Sequence, residues 1–204
     1  MLDVLHCEQN SDEWLRARMG IPTASMFATV MAKGKAGADS KTRRTYLHKL
    51  AGEILTGQPM DSFTNYHMER GHQMEGEARA AYAFVTDNAP DLVGFIRRGR
   101  AGASPDSLIG ADGLLEIKTK LPHLMIETIL RGDMPPEHRA QCQGQLWIAE
   151  REWLDLACYW PGMPLFIHRA KRDEAYISDL SAAVDAFNDE LDAVVEQVRA
   201  YGGV

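Results

Sequence analysis

Cysteine is scarce in this sequence, which contains only Cys7, Cys142 and Cys158 and has no Cys-x-x-Cys spacing. An odd number of cysteines argues against a disulfide framework or a zinc site and is typical of a reducing cytoplasm. No apolar run approaches the roughly 20 residues that a membrane helix needs, so we expect no membrane association. The N-terminal residues also lack a basic segment followed by an apolar core, and we expect no signal peptide.

Positive charge is also in short supply, with 22 Lys and Arg against 29 Asp and Glu and a net charge of −7. Taken alone, this balance disfavours a DNA-binding role, because the phosphates of nucleic acid attract basic surfaces. Net charge hides distribution, however. Basic residues concentrate at positions 33–44 and 97–100, whereas much of the acidic excess lies at 173–196. Local positive charge within an acidic chain is compatible with an enzyme that must release DNA.

The hydrophobic pattern predicts one domain over residues 1–204, with an α/β fold built on a mixed sheet. Ser11 is the predicted N-cap of a first helix. Further helices are predicted over residues 42–55, 65–85 and 137–149 and in an amphipathic C-terminal segment. Strands are predicted over residues 92–96, 101–109, 114–119, 154–159 and 165–169. Helices therefore precede and follow the sheet, which indicates a single core.

One segment combines acidic and basic residues in a pattern suited to metal chemistry. Asp106 follows Ser104 and Pro105, and ten positions later comes the tripeptide Glu116-Ile117-Lys118. Side chains alternate along a strand, so Glu116 and Lys118 are predicted to share one face while Ile117 enters an apolar layer. A hairpin at Gly110 to Gly113 would bring Asp106 beside Glu116.

Two adjacent carboxylates repel each other and favour a hard divalent cation such as magnesium or manganese. Such a cation activates water and stabilises the transition state of phosphodiester cleavage. Lys118 would offset negative charge, and it could act as a base only if its pKa were depressed. The alternative is a solvated strand with a Glu–Lys pair, and the spacing alone does not decide between the two.

Four blocks of the sequence resemble the phage lambda exonuclease family, also called YqaJ-type viral recombinases. This family belongs to the PD-(D/E)xK nuclease superfamily. The blocks are Glu13 to Ser25, Glu69 to Glu75, Ser104 to Asp106 with Leu115 to Lys118, and Ala140 to Trp147. They occur in the order of the family and span most of the chain. The resemblance implies a restriction-endonuclease-like core, a central mixed β-sheet flanked by helices.

The resemblance also implies roles for individual residues. Asp106 and Glu116 would be metal ligands together with the Ile117 carbonyl, and Lys118 would be the catalytic lysine. Glu75 would complete the site from the helix over residues 65–85, directly or through water. The residues expected around the 5′ phosphate of a DNA end are Arg18, Ser25, Ser104 and Gln141. A guanidinium, hydroxyls and an amide supply the donors that a terminal phosphate needs.

Each of these residues also has a simpler interpretation. Arg18 would otherwise be a surface charge, Ser25 an N-cap and Gln141 part of a polar helix face. His138 stands where the family commonly has tyrosine, and it either reaches DNA or the metal site or is an ordinary surface or hydrogen-bonded histidine. Met68 is either a wedge that separates the terminal base pair or a core residue. The family often has Lys-Cys-Pro after the acidic residue, and here Lys118 is followed by Thr119 and Lys120.

The expected function is therefore a Mg²⁺-dependent exonuclease, with Mn²⁺ as a substitute, that digests double-stranded DNA from 5′ ends. It would release mononucleotides and leave 3′ single strands for recombination. The resemblance further implies a ring-shaped homotrimer, a single-strand annealing partner and a phage or prophage origin in bacterial cytoplasm. The alternatives are another PD-(D/E)xK nuclease, such as an endonuclease or a RecB-like repair nuclease, and a non-catalytic module that binds DNA ends.

Overall fold

The fold is known from a computed structural model that describes residues 2–34, 40–60 and 66–201, with the backbone alone for 66–73. Its helices are α1 (Asp12–Arg18), α2 (Phe27–Val30), α3 (Lys41–Thr56), α4 (Tyr66–Thr86), α5 (Pro122–Arg131), α6 (Arg139–Ala149) and α7 (Glu174–Tyr201). Its strands are β1 (Leu2–Leu5), β2 (Pro90–Asp91), β3 (Phe95–Arg98), β4 (Ala101–Ala103), β5 (Ser107–Ile109), β6 (Gly113–Thr119), β7 (Trp153–Tyr159) and β8 (Phe166–Lys171). Short 3₁₀ turns occur at Ala24–Met26 and Pro136–His138.

The larger sheet has five strands in the order β2-β5-β6-β7-β8. The pairing of β6 with β7 is parallel, and the other pairings are antiparallel. A smaller antiparallel sheet, β1-β3-β4, contacts α1 and α6. The predicted mixed sheet with flanking helices is confirmed.

Strand β6 lies inside the larger sheet and separates two apolar layers. Leu115 and Ile117 pack on the α4 side with Ala78 and Tyr82. Leu114 belongs to the larger core cluster, which includes residues of α3, α6 and α7. Because side chains alternate along a strand, Glu116 faces the side of α6. The predicted division of this strand, with Ile117 in an apolar layer and Glu116 opposite, is confirmed.

Helix α6 approaches α2 closely, and Gly144 makes this approach possible. A Cβ atom built on Gly144 would lie 2.4 Å from Cδ2 of Phe27, a distance that real Cβ atoms do not reach. The close contact seats α6 against the 3₁₀ turn at Ala24–Met26 and against β4. The N-terminal half of α6, which carries Gln141, is thereby held beside β6.

Residues 101–109 do not form the single strand that was predicted, and that prediction was wrong. They form β4 in the small sheet and β5 in the large one, joined by Ser104-Pro105-Asp106. Proline has no N–H to donate, so Pro105 breaks the ladder at this point. The break lets the chain cross from one sheet to the other. Strand β1 and helix α5 were also absent from the prediction.

The basic residues at positions 33–44 and 97–100 include two that are neutralised by acidic residues of α7. Arg43 contacts Glu190 at 2.7 Å, and Arg100 contacts Asp192 at 2.6 Å. Positions 35–39 lie outside the described residues. The acidic excess of α7 therefore serves partly to pair arginines that the sequence pattern offered as DNA contacts.

Within the described ranges, no helix combines the length and the apolar character needed to cross a membrane.

Candidate active site

The hairpin of β5 and β6 brings Asp106 beside the Glu116-Ile117-Lys118 segment. Ser107 pairs with Leu115, and the backbone N–H of Asp106 donates to the Leu115 carbonyl at 3.0 Å. The N–H of Ile117 in turn donates to Oδ2 of Asp106 at 2.5 Å. The predicted meeting of the two segments is confirmed, and the Asp106 side chain is fixed by the backbone of its neighbouring strand.

Glu116 is only 3% exposed, and three side chains hold its carboxylate. Gln141 and Lys118 each lie 2.6 Å from Oε1, and the amide of Gln145 donates to Oε2, also at 2.6 Å. A buried carboxylate is costly unless it is paired and hydrogen-bonded. Here a cation and two amides provide that compensation and hold the side chain of Glu116 in a fixed orientation.

The acidic residues of the cluster act on each other. Loss of hydration, together with the nearby carboxylates of Glu116 and Glu75, raises the pKa of Asp106 well above its ordinary value. Lys118 and the Ile117 N–H oppose this shift and do not cancel it. The cluster therefore has an excess of negative charge, and a divalent cation would relieve it.

Lys118 carries the positive charge of the cluster. Burial alone would lower the pKa of Lys118, but the carboxylates of Glu116 and Asp106 raise it to about 12. The lysine is therefore protonated across the neutral and mildly alkaline range. In this state it can stabilise negative charge or orient a water molecule, and it has no free lone pair with which to act as a base.

Glu75 reaches the cluster from α4 and forms a close ion pair with Arg79, one turn further along the helix. Arg79 also donates to the hydroxyl of Ser107 at 3.0 Å and to the Asp106 carbonyl at 3.4 Å. Ala78 and Tyr82, further along the same helix, are fully buried. Met68 lies on the same helix, but its side chain is outside the described residues.

A small cavity adjoins Glu116 on the side of α6. Its volume is about 160 Å³, and the four residues expected around a 5′ phosphate all line it, namely Arg18, Ser25, Ser104 and Gln141. They come from α1, a 3₁₀ turn, the β4–β5 connection and α6. Since Gln141 also donates to Glu116, one side chain joins the cavity to the acidic cluster.

Trp14 organises two of the residues that line this cavity. Its indole N–H lies 2.9 Å from the hydroxyl of Ser104 and 3.0 Å from the carbonyl of Gly94. The guanidinium of Arg18 stacks on the same ring, 3.7 Å from its centroid. Such a cation–π contact restricts the arginine, and its Nη2 also donates to the hydroxyl of Thr23 at 3.4 Å.

His138 lies at the end of the second 3₁₀ turn, near Lys118 and Lys120. Burial and the two lysines lower the pKa of His138 to about 4, so the imidazole is neutral at physiological pH. Its Nε2 atom has no hydrogen-bond partner among the residues that the structure describes. The side chain is thus a neutral group beside the acidic cluster and carries no charge toward DNA.

Comparison with known proteins bears on the arrangement of these residues. A family model described as a YqaJ-like viral recombinase domain matches residues 13–152, well over half of the chain. The chain belongs to this family. The matched residues include every predicted member of the acidic cluster and of the adjoining cavity. A search of curated proteins gave no match.

Solved structures agree with membership of the YqaJ-like family. The alkaline exonuclease LHK-Exo from Laribacter hongkongensis is 36% identical, with a TM-score of 0.85, and the match covers 94% of this chain and 98% of that one. LHK-Exo in complex with dAMP gives a TM-score of 0.86 at the same identity and coverage. A phage related exonuclease from Haemophilus somnus shares the fold at 13% identity and a TM-score of 0.66, over 87% of this chain and 96% of that one. The expected restriction-endonuclease-like core is confirmed.

Three residues of this YqaJ-like chain had no role in the prediction. Trp14, Arg79 and Gln145 contact, respectively, Arg18, Glu75 and Glu116. Each of the three lies four positions along a helix from a residue that was predicted. Side chains at that spacing are neighbours on a helix surface, so the spacing was a usable signal.

In the described part of this YqaJ-like chain, no group of three or more His, Cys, Asp and Glu side chains is arranged to hold a metal ion unaided. Asp106 and Glu116 contribute two carboxylates, and Glu75 is engaged by Arg79. The donors are hard oxygens in a cluster with too much negative charge. This chemistry fits magnesium or manganese with several water ligands, and it does not fit a softer metal.

Proposed function

We propose that the chain is a Mg²⁺-dependent exonuclease that digests double-stranded DNA from 5′ ends and releases mononucleotides. The remaining 3′ single strand would serve recombination by strand annealing. One observation carries the proposal. The four residues expected to bind a terminal phosphate line one cavity, and Gln141 of that cavity is hydrogen-bonded to Glu116 of the acidic cluster at 2.6 Å.

The size of the cavity supports a phosphate as its occupant. A volume of about 160 Å³ is below the roughly 300 Å³ at which pockets for drug-sized ligands begin. Its polar donors are a guanidinium, hydroxyls and amides, which suit a small anion. A terminal phosphate held there would leave the next phosphodiester beside Asp106 and Glu116. Cleavage at that bond would release one nucleotide at a time.

Asp106, Glu116 and the Ile117 carbonyl would hold the metal, with Glu75 acting through water because Arg79 engages its carboxylate. A bound magnesium ion would lower the pKa of a water ligand and stabilise the charge of the transition state. Lys118, which is protonated, would stabilise the negative charge that develops on the phosphoryl oxygens. The structure of LHK-Exo with dAMP supports a mononucleotide as the product.

The family also leads us to propose a homotrimer around DNA, a single-strand annealing partner and a phage or prophage origin in a bacterial cytoplasm. Light scattering of the purified protein would measure the number of subunits.

The proposed activity is tested by digesting a linear duplex labelled separately at its 5′ and 3′ ends, with Mg²⁺ or with a chelator. We expect Mg²⁺-dependent release of the 5′ label as a mononucleotide, while the 3′-ended strand persists. A covalently closed circle should remain intact, since an exonuclease needs an end. Cleavage of the circle would identify an endonuclease, and end binding without any release would identify a non-catalytic module.

Replacement of Arg18 with alanine should remove the preference for phosphorylated ends. Loss of hydrogen bonds to a charged group predicts a fall of about 10- to 100-fold in the rate on 5′-phosphorylated DNA, with little change on 5′-hydroxyl DNA. Arg16→Ala is the matched control, because Arg16 is exposed on the same helix. Equal losses on both substrates, or the same effect from the control, would contradict a phosphate-binding role for Arg18.

A further inference from the structure

Gln145 contacts the acidic cluster from α6, one turn after Gln141. It is 1% exposed and lines the cavity beside Glu116. Its amide nitrogen donates to Oε2 of Glu116, while that of Gln141 donates to Oε1, both at 2.6 Å. Two amides from one helix therefore hold the two oxygens of a single carboxylate.

The two carboxylate oxygens of Glu116 differ in how many of their lone pairs remain free to bind a further group. A carboxylate oxygen offers two lone pairs. On Oε1 both are engaged, by Gln141 and by Lys118. On Oε2 the amide of Gln145 is the one hydrogen-bond donor among the residues that the structure describes. The same contact that fixes the carboxylate thus leaves one position of Oε2 open to a cation.

The contact between Gln145 and Glu116 leaves the other end of the Gln145 amide, its carbonyl oxygen, without a hydrogen bond. Its carbonyl oxygen is buried and has no hydrogen-bond partner within the described ranges. A buried acceptor without a partner destabilises a fold. Rotating the amide would bring the carbonyl oxygen against the carboxylate, so Glu116 dictates the observed orientation.

Gln143, on the same helix, makes the contrast clear. It is also buried, but its amide nitrogen donates to the Lys171 carbonyl at 2.8 Å, and its carbonyl accepts from the N–H of Asp173 at 2.9 Å. Both ends are satisfied by backbone groups at the end of β8 and in the β8–α7 connection. Gln143 therefore anchors the fold, whereas Gln145 is satisfied only toward Glu116.

We infer that Gln145 is a positioning residue that holds Glu116 in the orientation needed to bind a divalent cation. The inference rests on the proposed metal-dependent function and adds a residue to it. Groups that orient a metal ligand commonly change metal affinity by about 10- to 100-fold when they are removed.

The test is Mn²⁺ binding to the full chain by isothermal titration calorimetry, with thermal unfolding measured in parallel. Gln145→Met, which is close in volume and lacks the amide, should weaken Mn²⁺ binding by about 10-fold or more. Its unfolding temperature without metal should fall by less than that of Gln143→Met, because removal of the unsatisfied carbonyl offsets part of the lost hydrogen bond to Glu116. Gln143→Met should keep its Mn²⁺ affinity and lose about 4 °C of unfolding temperature.

Gln145→Asn is a second test variant. It keeps an amide, but its side chain is one methylene shorter and the amide lies further from Glu116. It should weaken Mn²⁺ binding as Gln145→Met does. The inference would be overturned if either Gln145 variant bound Mn²⁺ with wild-type affinity, or if the Gln143 and Gln145 variants lost Mn²⁺ affinity equally. Either result would leave the proposed function intact. Absence of Mn²⁺ binding to the wild-type chain would instead overturn the proposed function.

Discussion

Replacing Lys118 with alanine should lower the rate of DNA cleavage by about a thousandfold, while the affinity for a 5′-phosphorylated end changes little. The ammonium group lies 2.6 Å from Glu116, and the pKa of about 12 keeps it charged. Its loss removes positive charge from the point where negative charge develops. The phosphate cavity does not include Lys118, so end binding should survive. Single-turnover cleavage and end binding, measured separately, check the two parts of this result.

Lys120 is the matched control for Lys118. It lies two residues after Lys118, directly beyond the end of β6, and pairs with Glu137 at 3.1 Å. Lys120→Ala removes the same charge, and we expect cleavage within a few-fold of wild type. Equal rates for the two variants would remove Lys118 from the mechanism.

Asp106→Asn should abolish both cleavage and the stabilisation of the protein by Mg²⁺. At a concentration roughly 100-fold above the dissociation constant, a bound ion should raise the unfolding temperature of the wild type by about 5–10 °C. Asparagine can still accept the Ile117 N–H, so the hairpin should persist. Because the substitution also removes one carboxylate from a cluster with excess negative charge, the metal-free variant should unfold at a higher temperature than wild type.

Thermal unfolding with Mg²⁺ and with a chelator measures this effect. Asp112→Asn is the control, because Asp112 is an exposed aspartate at the turn of the same hairpin. It should respond to Mg²⁺ as the wild type does. If Asp106→Asn retained the Mg²⁺-dependent shift, the cation would have to bind elsewhere in the chain.

Much of the acidic cluster could be predicted because Asp106, Glu116 and Lys118 lie within one short segment of the sequence. Alternation along one strand puts Glu116 opposite Ile117, and the turn at Gly110 to Gly113 brings Asp106 alongside. The cavity was a different matter. Its four expected phosphate-binding residues are distant in sequence, and only the family resemblance grouped them. The structure shows that they line one cavity, namely Arg18, Ser25, Ser104 and Gln141.

The errors in the predicted fold also concern features that depend on tertiary contacts. A β-like pattern over residues 101–109 does not say that Pro105 sends its two halves to different sheets. Helix α5 escaped prediction although Pro122 is favoured in the first turn of a helix and Gly132 ends it in the left-handed conformation. The role of Gln145 depends on which of its two ends finds a partner. That depends on tertiary packing.

The pairing of Arg43 with Glu190 and of Arg100 with Asp192 has a consequence for how the chain would meet DNA. An arginine that already has a carboxylate partner releases few counterions from DNA when the two surfaces approach. These two arginines should therefore contribute little to duplex binding or to its dependence on salt concentration. Contacts at the proposed 5′-phosphate cavity would then contribute relatively more to binding, as expected of an enzyme that acts on DNA ends.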